Sequence, residues 1–181
     1  KKLHSEFHFD IVHCRSYITA LAGLWMKGKW GVKFIFDMRG FWADERVDGN
    51  IWKLNNPVFK TVYTFFKKKE KAFLSKADYV VSLTHNAEKI IHSWKEIENQ
   101  PIPIKVIPCC VDLELFNPSL INNEEIQRLK SELTIPEGVK VITYIGSIGT
   151  WYMLPEMLSF FKRWQLNNPD SIFLFVTNDS P

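Results

Sequence analysis

Runs rich in Val, Ile and Phe recur at residues 9–14, 33–36, 79–83, 104–107, 139–145 and 171–177. Several are bounded by turn or cap residues, and runs of this length and composition predict strands. Between most of them the apolar positions change to a helical period, at residues 17–27, 59–75, 85–94 and 154–166. Continuous apolar strands alternating with helices predict βαβ units and a parallel sheet covered on both faces. The expected fold class is α/β, with Rossmann-like parallel sheets and flanking helices.

The alternation breaks twice. Residues 40–56 form a long, polar, Trp-bearing loop, and loops of that length inside an α/β domain more often carry ligands than not. Residues 111–138 hold a polar, acidic helix candidate at 122–133, with Glu124 and Glu125 near its start, followed by Pro136 and Gly138. A boundary between two Rossmann-like units fits this stretch better than a crossover within one sheet. The expected division is 1–118 for a first domain, 119–138 for an interdomain segment and 139–181 for the start of a second.

With 181 residues, 46% of them hydrophobic, the chain can bury a real core. It opens at Lys1 without a Met and stops at Pro181 just after a strand-like run, so both ends read as cuts through a larger protein. Its longest mostly apolar stretch, residues 17–26, is too short to cross a bilayer, and no signal-peptide pattern stands at the start. The three cysteines are an odd number, and adjacent Cys109 and Cys110 are poorly placed to bridge each other, which favours a reducing, cytoplasmic setting. No Cys/His pairing has zinc-site spacing, so no metal is expected.

The net charge of +3 is unevenly placed. Lys60, Lys67, Lys68, Lys69, Lys71 and Lys76 face only Glu70, a local excess of +5, beside Val62, Tyr63, Phe65, Phe66 and Phe73. This reads as an amphipathic helix whose aromatics pack on a sheet and whose outer face is basic. The other reading is a contact with an anionic membrane surface, peripheral at its inner face. No recognition motif accompanies the basic run, so nucleic acid is not an expected partner.

No Gly-x-Gly-x-x-Gly occurs among the eight glycines, and no Walker loop appears. That leaves a dinucleotide-dependent dehydrogenase and a P-loop phosphotransferase without support. The most specific segment is Ile107-Pro108-Cys109-Cys110-Val111-Asp112-Leu113-Glu114-Leu115-Phe116-Asn117-Pro118. It resembles the Ile-Pro-Asn-Gly-Val-Asp-x-x-x-Phe-x-Pro stretch that closes the N-terminal domain of glycosyltransferase family 4, the group 1 glycosyltransferases. Cys109 and Cys110 stand in place of Asn-Gly, and Cys tolerates a left-handed backbone less well than Gly, so the local turn is open to change. Phe116 and Pro118 also read as packing residues, with Phe116 as a core plug.

Three further segments are similar to the same family. Phe9-Asp10-Ile11-Val12-His13-Cys14-Arg15-Ser16 is similar to its Pro-Asp-Val-Ile-His-x-His strand end, which places His13 and Arg15 where ligands sit in open α/β sheets. Read alone, His13 is equally a core histidine. Residues 36–46 resemble the loop that faces acceptor and transferred sugar: Asp37, Arg39, Asp44, Glu45 and Arg46 are interleaved with Phe41 and Trp42. Aromatic faces stack on sugar rings while carboxylates and guanidiniums bond hydroxyls. The plainer reading is a loop whose charges pair with one another and whose Trp42 anchors it. Residues 141–152 look like the first strand and glycine loop of the C-terminal domain, in which Gly146, Ser147 and Gly149 would approach the donor diphosphate. Trp151 and Tyr152 occupy the place of a Lys-Gly common in the family, and without a ligand the segment is a tight βα turn.

The resemblance implies a GT-B-type two-domain architecture. It also implies transfer of a sugar from a nucleotide-diphosphate donor to a hydroxyl acceptor, carbohydrate or lipid-linked, in polysaccharide or glycolipid synthesis. Configuration would be retained and no cofactor needed. The family's glutamate motif lies later in the second domain, beyond Pro181, so the fragment alone is expected to be inactive. A GT-B-type sugar-nucleotide epimerase and a non-enzymatic binding or membrane-docking module remain the alternatives.

Overall fold

A computed structural model describes residues 2–95, 97, 102–149 and 152–179. Two compact units divide the chain, residues 1–110 and 111–181, so the polar stretch 119–138 is grouped with the second unit.

In the first unit, β1 (Ile11–Arg15), β2 (Lys33–Asp37), β3 (Tyr79–Ser82) and β4 (Ile104–Val106) form one parallel sheet in the order β1-β2-β3-β4. The register pairs Arg15 with Asp37 and Asp37 with Val81, which brings the carboxyl ends of the strands level. The helices between them are α2 (Ser16–Trp30), α3 (Trp42–Asp48), α4 (Pro57–Lys76) and α5 (His85–His92), preceded by a short α1 (Lys2–Phe7). Local signals set their ends. Gly31, at φ 70°, closes α2 with a bond from its N–H to the Lys27 carbonyl, and Asn56 followed by Pro57 opens α4. Thr84 caps α5 by accepting from the Ala87 N–H.

One face of this sheet is covered, rather than both. Cys14, Phe34, Phe36 and Val80 are buried, whereas His13 and Arg15 on the opposite face are exposed and Ile35, Asp37 and Val81 half-buried. The physical reason is the strand order: right-handed crossovers that advance in one direction lay all their helices on the same side. The approach of α2 depends on Gly23, where a Cβ would stand 2.6 Å from Cys14 Sγ and 2.7 Å from the Phe34 ring. Tyr17, Phe34, Phe36, Phe73 and Leu74 are the largest side chains in the fully buried centre. Burial pushes the Cys14 thiol pKa up.

Two further expectations are corrected in this unit. The stretch 40–56 is not a plain loop, because it contains α3, anchored by Trp42 against Tyr17, Trp52 and Phe66. The lysine-rich helix is not basic on its outer face alone. Lys67 turns inward with Glu70, which follows Phe66 by one turn and is fully buried.

The second unit contains a 3-10 turn (Pro118–Leu120), α6 (Asn123–Glu132), β5 (Val141–Ile145), α7 (Leu154–Gln165) and β6 (Ile172–Val176). The two strands pair in parallel, as a βα unit requires, and Phe161 packs on Phe173 with ring centroids 5.0 Å apart. Of its described residues only Ser171 is buried. Phe116 is 63% exposed, which overturns its reading as a core plug: two strands and their helices offer too little apolar body to cover it. Among the described residues, no helix is long and apolar enough to cross a membrane.

Candidate functional site

The level carboxyl ends of β1 to β4 carry two adjoining cavities in the first unit. One, of about 290 Å³, lies on the open face of the sheet and is lined by His13, Arg15, Asp37, Arg39 and the Pro108-Cys109-Cys110 turn after β4. The other, of about 450 Å³, is lined by Arg15, Ser16, Met38, Arg39, Trp42 and Glu45. Arg15, Arg39 and Leu83 border both.

Strand register explains why these residues meet. His13, Arg15 and Asp37 occupy alternate positions on the same face of β1 and β2, since Arg15 pairs with Asp37 and His13 with Ile35. His13 Nε2 is 3.5 Å from Asp37 Oδ2, with the His side chain 56% exposed and the Asp side chain 18% exposed. The carboxylate is the less exposed of the two, and both side chains line the smaller cavity. Directly beyond the strands, Ser16 (φ 68°) and Arg39 (φ 60°) adopt left-handed backbone that non-glycine residues seldom take. The turn around Arg39 is closed by Gly40 N–H donating to Met38 O at 2.7 Å. Such strain concentrates where a structure holds side chains for a purpose.

The other predicted loop residues divide. Glu45 lines the larger cavity, and a Cβ on Gly40 would collide with its carboxylate, so glycine is needed for the carboxylate to lie there. Asp44 is absent from both linings and instead joins a partly buried network. Its two oxygens accept from Tyr63 Oη and Lys67 Nζ, each at 2.8 Å. Lys67 also pairs with Glu70, and the Tyr17 hydroxyl donates to the other Glu70 oxygen. Burial raises the Glu70 pKa, held back by the bonds from Lys67 and Tyr17. Burial and then the Glu70 charge raise that of Tyr17. Burial alone would lower Lys67, but its two carboxylate partners raise it. The network ties α2, α3 and α4 together under the cavity floor. Asp44 is a brace for the site rather than part of its lining.

In the second unit, Gly146 (φ 145°) turns the chain out of β5, and its N–H donates to Val176 O at 3.0 Å. The Ser147 carbonyl accepts from Tyr144 Oη at 2.7 Å, and Ile148 N–H donates to Asp179 Oδ2 at 2.6 Å. One amide of this loop therefore already meets a carboxylate. Gly149 has open space where a Cβ would stand. Pro155 and Glu156 in the first turn of α7 leave its N-terminus short of free amides and supply a negative charge of their own. Thr150 and Trp151 lie outside the described residues.

Ser16, Met38, Gly40 and Trp42 fall in the two strand-end segments that the sequence singles out, and the two cysteines in its most specific motif, whereas Leu83 was not legible as a site residue from sequence. The signal for Cys109 and Cys110 was their position just after a strand parallel to β1. Residues 1–115 match the family model described as Glycosyltransferase Family 4. The chain belongs to glycosyltransferase family 4. A search of curated proteins gives no match. Among solved structures, the chain is similar to a glycosyltransferase from Rickettsia africae ESF-5, with 16% identity and a TM-score of 0.55. The likeness covers 99% of this chain and 49% of that one, so the family 4 chain spans about half the length of its solved neighbour. At that identity the likeness speaks for the fold, α/β with parallel sheets flanked by helices.

Proposed function

We propose that this chain supplies the sugar- and acceptor-facing side of a retaining, metal-independent glycosyltransferase that uses a nucleotide-diphosphate sugar and a hydroxyl acceptor, in polysaccharide or glycolipid synthesis. The observation that carries the reading is the His13–Asp37 pair facing a cavity at the carboxyl edge of a parallel sheet, in a chain of this family. A partly exposed imidazole beside a carboxylate is suited to bond a sugar hydroxyl, and Trp42 and Glu45 in the adjoining cavity suit a polyhydroxylated ring. Gly146, Ser147 and Gly149 take the donor phosphates in this reading. The remaining catalytic groups lie elsewhere, and the 181-residue chain alone turns over no donor. Incubating the protein that carries this chain with a panel of sugar nucleotides and acceptors tests it by mass spectrometry. Transfer with retained configuration supports the proposal; an isomerised donor points to an epimerase, and an untouched donor to a binding module.

A membrane-facing role for α4 belongs to the same proposal. Phe65 is exposed among Lys60, Thr61, Thr64 and Lys68 on the outer side of the helix, a composition suited to an anionic lipid surface and a lipid-linked acceptor. Sedimentation with anionic vesicles that weakens as salt rises supports it, whereas binding indifferent to salt and lipid charge leaves the helix a packing element.

A further inference from the structure

Arg15 and Arg39 border both cavities, and among the described residues neither guanidinium has an ion pair or hydrogen-bond partner. The carboxylates nearby are otherwise engaged or apart: Asp37 faces His13, Asp44 faces Tyr63 and Lys67, and Glu45 lies against Gly40. Two unpaired cations line the same two cavities, and Arg39 holds a left-handed backbone at φ 60°. A bound anion would supply the partner both lack, and the planar fork of arginine matches the paired oxygens of carboxylate or phosphate. Glu45, in the larger cavity, would be repelled by an anion at its own position but is well suited to accept from hydroxyls. The lining therefore separates into an anion-reading part and a hydroxyl-reading part.

We propose that the molecule bound at this edge is a sugar that carries an anionic group, a carboxylate or a phosphate, read by Arg15 and Arg39 while Glu45 and His13 read its hydroxyls. The inference rests on the transferase reading for its choice of a sugar, but its test does not use transfer. The protein that carries this chain, labelled with nitrogen-15, is titrated with glucuronate, glucose 6-phosphate, glucose and inorganic phosphate while the amide signals of Ser16 and Gly40 are followed. One of the two anionic sugars is expected to bind at least about ten-fold more tightly than glucose, as an added charge-assisted pair of bonds implies. Which one binds distinguishes carboxylate from phosphate. Arg15→Gln and Arg39→Gln should each reduce that preference, and together erase it, with the rest of the spectrum unchanged.

Equal binding of glucose overturns the proposal, as does a preference that survives both substitutions. No signal change with any of the four probes at about 50 mM, a concentration that would reveal even millimolar affinity, also overturns it. Inorganic phosphate binding as tightly as glucose 6-phosphate overturns the claim that hydroxyls are read together with the anion. If the donor panel gives no transfer while the arginine-dependent preference persists, the transferase reading falls and the anion site stands. Transfer with no anionic preference gives the reverse.

Discussion

Lys67→Met removes the ammonium that faces Asp44 and Glu70 while keeping much of the apolar stem in place. Glu70 is fully buried, so water cannot replace the lost charge, and leaving one partner of a buried pair uncompensated costs about 3–5 kcal/mol. A second route limits that loss, because the carboxyl can take up a proton. An ordinary Glu titrates near about 4.3, and each pH unit above that adds about 1.4 kcal/mol to the cost of keeping it protonated. The limit is thus about 4 kcal/mol at pH 7 and about 1 kcal/mol at pH 5. The sign follows from the folded state: burial already holds the Glu70 pKa above its unfolded value, and loss of Lys67 raises it further. A group raised in this way weakens the fold as pH climbs from the unfolded toward the folded pKa. Urea unfolding followed by Trp fluorescence suits the test, since Trp42 and Trp52 pack on Phe66 in α4, beside the network. The variant should lose between about 1 and 4 kcal/mol at pH 7 and no more than about 1 kcal/mol at pH 5. A loss below about 1 kcal/mol at pH 7, or the same loss at both pH values, would refute the network as a buried charge device.

Gly23→Ala should cost about 1–3 kcal/mol in the same unfolding assay, because its Cβ meets Cys14 and Phe34; unchanged stability would mean that α2 does not pack so closely. Partial burial would raise the Asp78 pKa, but bonds from Lys27, the Phe34 N–H and Lys33 outweigh it and hold the carboxyl at about 2. A depressed carboxylate stabilises above its unfolded pKa and loses that contribution as pH falls, here from about 4 toward 2. Asp78→Asn should therefore lose about 1–2 kcal/mol at pH 7 and converge on the wild type near pH 2, read from acid unfolding curves. Gly149→Val, in the protein that carries this chain, should leave the melting temperature unchanged, since its Cβ meets open space, yet weaken sugar-nucleotide binding by calorimetric titration. Equal donor affinity would remove this loop from the donor site.

The six strands of the described residues were legible as runs rich in Val, Ile and Phe. The one-sided sheet was also written in the residues: His13, Arg15, Lys33 and Asp37 alternate with Cys14, Phe34 and Phe36, and alternation outweighs overall hydrophobicity. Helix α3 was hidden because seven residues carry too few turns for a period to show, and tertiary contacts of Trp42 hold it. Glu70 could have been found from sequence, since it falls in the buried stripe with Phe66, Phe73 and Leu74, and a charge in such a stripe demands a partner. Which oxygen Asp44 would offer to Lys67, rather than to the cavity, depends on the packing angle of α3 on α4, which no local pattern encodes.

The central claim is that sugar is handled at the carboxyl edge of this sheet by His13 beside Asp37. The most direct measurement is kcat/KM for sugar transfer by the protein that carries this chain, wild type against His13→Ala, with melting temperatures measured alongside. Loss of a hydrogen bond to a reacting sugar should lower kcat/KM by roughly thirty-fold or more, a transition-state loss of about 2 kcal/mol, at an unchanged melting temperature. Full transfer activity in a folded His13→Ala protein would contradict the account.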